Sequence, residues 1–113
     1  KQIGNEFRFF CSGDEILSGS VYRDYKGNLN FDHRLTVNDH RAFDEAKEYC
    51  SHILKTVSWR PDPIFTMDIG FCDDIVGLIE INSFSCSGWY NSDPKPIIAK
   101  AMELAEKEWL SVR

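Results

Sequence analysis

The sequence lacks any long apolar run. None approaches the roughly 18–20 residues that cross a bilayer as a helix, so a helical membrane protein is excluded and no membrane partner is expected. It also lacks a basic surplus: 13 Lys and Arg stand against 18 Asp and Glu, a formal net charge of −5. A general nucleic-acid binder carries cations to neutralise phosphates, so nucleic acid is disfavoured as a partner. Cysteine is unclustered. Cys11, Cys50, Cys72 and Cys86 form no C-x-x-C unit, and their spacings match no zinc pattern. Cys50 and His52 lie two residues apart on a predicted helix, hence on different faces. No Ser or Cys stands in a nucleophile-elbow context. There is no Lys-x-Asp-Gly run, no internal repeat and no low-complexity tract, and no charged segment followed by an apolar core marks a signal peptide.

What is present is an ordinary globular balance. The 113 residues are 42% hydrophobic, 13% aromatic and 27% charged, enough apolar content to offset chain entropy and exclude a disordered tail. One domain over residues 1–113 is expected. The isolated cysteines read as reduced thiols in a cytoplasmic protein.

Periodicity orders the elements. Residues 5–11 read as a strand with Glu6, Arg8 and Phe10 on one face and Phe7, Phe9 and Cys11 on the other. Ser12-Gly13-Asp14 is a turn signal leading to a second strand over 15–23. Residues 31–37 are ambiguous. Ala42, Ala46, Tyr49, Ile53 and Val57, widened by Phe43, Cys50 and Leu54, predict an amphipathic helix capped by Asn38 or Asp39 and stopped before Pro61 and Pro63. Strands follow at 64–72 and 77–82, then a serine-rich loop. A last helix begins near Pro94, capped by Asp93, with Ile98, Met102, Ala105 and Trp109 as its apolar stripe and Ile97, Ala101 and Leu104 beside it. Trp59 and Trp109 are expected in the core or between helices. The order predicts an α+β fold: a mainly antiparallel sheet with two helices packed on one face.

The unusual feature is where the acids sit. Thr66, Asp68 and Gly70 share one face of their strand, and Leu78, Glu80 and Asn82 one face of the next. A hairpin turning near Asp74 sets Asp68 across from Glu80 and Gly70 across from Leu78, with the two acidic Cβ atoms about 5 Å apart. Like charges so placed are destabilising unless a cation or a proton lies between them. Three readings remain open: a divalent cation held by the oxygens of Asp68, Glu80 and Asn82, a solvated sheet face, or a carboxylate pair sharing a proton. Arg8, if its strand joins the same sheet, either faces that site, where a guanidinium would orient phosphate oxygens, or forms a structural ion pair with Glu6 or an acid on the next strand.

Met-Asp-Ile-Gly at 67–70 followed by Gly-Leu-Ile-Glu-Ile-Asn-Ser-Phe at 77–84 closely resembles the end of an ATP-grasp ligase. There, a strand bearing an acid precedes a strand ending Glu-x-Asn. Glu-Phe-Arg-Phe-Phe at 6–10 is similar to that family's Arg-bearing strand. Ser-Gly-Ser-Val-Tyr-Arg at 18–23 and Ser-Cys-Ser-Gly-Trp-Tyr at 85–90 look most like small ATP-grasp proteins of phages and bacterial gene clusters.

The resemblance implies the C-terminal catalytic lobe of a longer ATP-grasp protein, whose N-terminal lobe would grip the nucleotide; the start at Lys1 rather than Met agrees with that expectation. The implied cofactors are ATP and Mg²⁺. Asp68, Glu80 and Asn82 would hold the metal, with Arg8 beside them stabilising the phosphoryl group. The implied reaction passes the γ-phosphoryl of ATP to a substrate carboxylate, giving an acyl phosphate that an amine displaces. Arg23, Ser85, Ser87 and Tyr90 are candidates for contacting the carboxylate or amine substrate. The alternative is a non-catalytic binding or interaction module that retains the lobe without ligase activity.

Overall fold

A computed structural model of the chain describes residues 3–23, 37–73, 75–83 and 92–111. Strands β1 (Ile3–Ser12) and β2 (Glu15–Arg23) precede helix α1 (Val37–Thr56). Strands β3 (Phe65–Cys72) and β4 (Ile75–Ser83) precede helix α2 (Pro94–Ser111). The four strands form one antiparallel sheet in the order β2-β1-β3-β4. Both hairpins are tight, and each turn carries a left-handed residue, Gly13 at φ 57° and Asp73 at φ 52°. Glycine suits that region because it has no Cβ to clash, and aspartate is among the few other residues that tolerate it.

One face of the sheet is apolar. Phe7, Phe9, Cys11, Val21, Phe65, Met67 and Ile69 are buried there beneath Ala46, Cys50 and Leu54 of α1. Phe43 meets Phe7 edge-on at 5.8 Å between ring centroids and tilts against Phe9 at 5.4 Å. Fully burying one such side chain is worth about 1.5–3 kcal/mol, so this layer is the main source of stability. The Sγ atoms of Cys11 and Cys50 lie 3.8 Å apart, joining β1 to α1 through two free thiols. The Cys50 thiol alongside, together with burial, pushes the Cys11 thiol far above its ordinary value of 9.0.

The α+β class and antiparallel sheet stand as expected, but the two helices do not share a face. Phe10 and Leu17 put an apolar patch at one end of the opposite face, and α2 covers it with Ile97, Ala101 and Leu104, joined by Ile64. The Ser92 hydroxyl, just before α2, donates to the Ser20 hydroxyl on that same face at 3.2 Å. Asp93 caps the helix as expected, its Oδ1 accepting from the Lys95 amide at 3.0 Å. The stripe expected inside is outside: Ile98, Met102 and Trp109 are exposed, Met102 at 68%. Two adjacent apolar stripes have the same helical spacing, and contact with Phe10 and Ile64 selects the one through Ile97. Trp59, expected in the core or between helices, is 62% exposed in the segment after α1.

Arg60 closes that end. Its guanidinium donates to the carbonyl oxygens of Leu54 (2.6 Å), Val57 and Trp59, satisfying acceptors that the helix leaves open. It also donates to the Gly13 carbonyl and to Asp14 Oδ1, both at 2.8 Å, so one side chain joins α1 to the β1–β2 turn.

Candidate functional site

A single row of cross-strand partners runs over the sheet: Ser20 on β2, Arg8 on β1, Asp68 on β3 and Glu80 on β4. Directly opposed residues share a face, so all four lie on the face away from α1. β3 is central and residues 65–70 are all buried. Asp68 is therefore 1% exposed and Arg8 4% exposed. Arg8 Nε donates to Asp68 Oδ1 at 2.9 Å and Nη2 donates to Oδ2 at 3.0 Å. This two-pronged geometry is the strong form of a carboxylate–guanidinium contact. Arg8 thus relieves part of the charge conflict that the opposed acids create, through an ion pair with Asp68 on β3.

Glu80 is opposite Asp68, as the hairpin register predicts, and Asn82 is opposite the buried Thr66 one pair along. Glu80 is exposed and Asn82 half-buried. Towards the turn the register differs from the uniform expectation. β4 carries one extra residue, Ile79, so Gly70 faces Gly77 and Leu78 faces Ile69. Leu78 therefore belongs to the α1 side of the sheet and does not share a face with Glu80. Among the described residues no three His, Cys, Asp or Glu side chains converge as a metal cluster. A cation here would need the amide oxygen of Asn82 beside the carboxylates of Asp68 and Glu80.

Residues 1–101 match the family model of an ATP-grasp domain, the third family of its clade. The chain belongs to this ATP-grasp family. Neither the comparison with curated proteins nor that with solved structures returned a match. Membership accords with the α+β architecture and implies, at the level of the family, binding of ATP and a substrate.

Within this ATP-grasp chain the other candidates fall differently. Arg23 ends β2 opposite Glu6, at the margin of the row. Ser85, Ser87 and Tyr90 lie outside the described residues, as do Cys86 and the ambiguous stretch 31–36. Glu6 is a residue that sequence reasoning left off the site. It pairs with Gly70, next to the Arg8–Asp68 pair and on the same face. Its alternation with Arg8 along β1 was the available signal. A shallow hollow of about 300 Å³ opens beyond it, lined mainly by apolar groups including Ile75 and Ile79. The roomier hollow, about 380 Å³, lies between α2 and residues 62–64 and includes none of the row's residues. No helix among the described residues is long and apolar enough to cross a membrane.

Proposed function

We propose that this ATP-grasp chain is the C-terminal catalytic lobe of an ATP- and Mg²⁺-dependent carboxylate–amine ligase that works through an acyl phosphate. The observation that carries the reading is the row Arg8–Asp68–Glu80 with Asn82 adjacent: one cation and three oxygen-bearing side chains on one face of a rigid sheet.

The donor chemistry fits Mg²⁺. Hard cations take oxygen ligands, and a carboxylate offers about four lone-pair positions. Arg8 uses one on each oxygen of Asp68, which leaves acceptor capacity beside Glu80 and Asn82. Asp68, Glu80 and Asn82 would hold the ion. When bound, Mg²⁺ supplies neutralisation of the charge that builds on a transferring phosphoryl group. Arg8 holds Asp68 in place and adds a fixed positive charge to the same face, which orients phosphate oxygens. Burial of the pair keeps that charge in low dielectric, where it acts more strongly than in water. In that reaction a substrate carboxylate oxygen would attack the γ-phosphorus with ADP as the leaving group, and an amine would then attack the acyl carbon, losing a proton as phosphate leaves. Arg23, Ser85, Ser87 and Tyr90 are the proposed substrate contacts, the N-terminal lobe of a longer chain the proposed nucleotide clamp. The free thiols of Cys11, Cys50 and Cys72 suit a reducing, cytoplasmic setting.

The test is ADP formation by the full chain with candidate acids and amines. Loss of turnover in Glu80→Ala and Asn82→Ala is expected, and unchanged turnover in either removes that residue from the site. A second reading, an interaction module without ligase activity, is favoured by the exposed stripe Ile98–Met102–Trp109 on α2. ADP formation in the first experiment excludes it.

A further inference from the structure

We propose that Gly70 is a positioning residue for Glu80 and acts through Ile79. Between the pairs Asp68–Glu80 and Ile69–Leu78, β4 holds one unpaired residue, Ile79. Such a bulge bends its strand and re-aims the neighbouring side chain. A Cβ built on Gly70 would collide with Ile79 Cδ1 and lie 3.3 Å from both Ile79 Cγ1 and Glu6 Cγ. The Ile79 side chain is therefore seated on the bare backbone of Gly70, on the face that carries Arg8 and Asp68. The residue opposite Gly70 is Gly77, so the seat is flanked by a second position with no side chain. Gly70 is not among the positive-φ residues. Glycine is needed here for close approach and not for backbone conformation. The seat fixes Ile79, Ile79 fixes the bulge, and the bulge sets the direction of the next residue, Glu80.

The inference rests on the reading that Glu80 helps to hold a divalent cation, and the experiment separates the two. Mn²⁺, a spectroscopically visible stand-in for Mg²⁺, is titrated into the full chain and into Gly70→Ala, Gly77→Ala, Ile79→Ala and the double variant Gly70→Ala/Ile79→Val. Gly70→Ala is expected to weaken Mn²⁺ binding about tenfold or more, the scale seen when support behind a metal ligand is lost. Gly77→Ala should bind as the parent does, because a Cβ there meets nothing within 4 Å. The double variant should recover, since valine lacks the Cδ1 that collides. If Gly70→Ala does not fold, Ile79→Ala, which empties the seat at a part-exposed position, should still weaken binding. Parent-like binding in Gly70→Ala, or a double variant that stays weak, overturns the proposal. If the parent chain binds no Mn²⁺, the cation reading fails and the metal-free NMR shifts of the Glu80 amide and carboxyl carbon decide. Shifts that move in Gly70→Ala and return in the double variant support the proposal, and shifts that stay put overturn it.

Discussion

Arg8 and Asp68, sixty positions apart in sequence, meet through two hydrogen bonds of 2.9 and 3.0 Å on adjacent strands, each almost wholly out of water. Removing water from two charges is costly, and their attraction in a low-dielectric setting roughly offsets the cost. The pair therefore matters more for what its breakage exposes than for net stability.

Asp68→Ala or Arg8→Ala should each cost about 3–5 kcal/mol, because the surviving charge stays buried and unmatched. The double variant Arg8→Met/Asp68→Leu should be as stable as the parent or more so. Urea unfolding of all three, compared with the parent, checks this. Additive losses in the double variant would contradict it.

Glu80→Gln and Asn82→Ala should behave in the opposite way. Glu80 is exposed and Asn82 half-buried, so unfolding free energies should stay within about 0.5 kcal/mol of the parent. ADP formation by the full chain should nonetheless fall roughly a hundredfold or more, the scale on which lost charge stabilisation acts. Thermal melts alongside steady-state assays separate the two effects.

The Cys11 thiol gives a pH dependence of known sign. The Cys50 thiol and burial raise it far above 9.0 in the folded chain, whereas the unfolded chain releases that proton near its ordinary value. Its contribution is complete below that value. Above it, stability should fall by about 1.4 kcal/mol per pH unit from this group alone. Urea midpoints between about pH 8 and about pH 10, in parent and Cys11→Ala, test it: the variant should show the shallower decline.

Arg60→Ala should lose about 1.5–3 kcal/mol, because several helix and turn carbonyls lose a charged donor at once. Asp14→Ala removes only the partner that is 81% exposed and should cost less than about 1 kcal/mol. Equal losses would mean that the ion pair, and not the carbonyl contacts, joins α1 to the turn. Denaturation of the two single variants under identical salt decides between them.

Local pattern made much of this legible. The second strand begins and ends at the residues expected, and Asp93 caps α2. Asp68 faces Glu80 as expected, but by way of the extra residue Ile79, since the register running out from the turn would set Asp68 across from Ile79. What the pattern missed depends on neighbours distant in sequence. The partner of Arg8 follows from β1 lying beside β3, which no local signal encodes. Ile79 is an ordinary apolar strand residue, and no local signal marks it as the unpaired residue of β4. In α2, Ile97, Ala101 and Leu104 compete with Ile98, Met102 and Trp109 at the same period, and Phe10, on a face read as polar, decides the outcome. The opposition of Asp68 and Glu80 could be drawn from one hairpin; adding Arg8 and Ser20 required the whole sheet.

The strand order β2-β1-β3-β4 also has a kinetic consequence. Each hairpin can form from contacts close in sequence, but the β1–β3 seam must close a loop spanning Arg8 to Asp68. For about sixty residues that closure costs roughly 3–4 kcal/mol of chain entropy before contacts repay it. Sheet assembly at that seam should thus govern the refolding rate. Arg8 and Asp68 lie on different hairpins, so their pairing is made only when that seam closes.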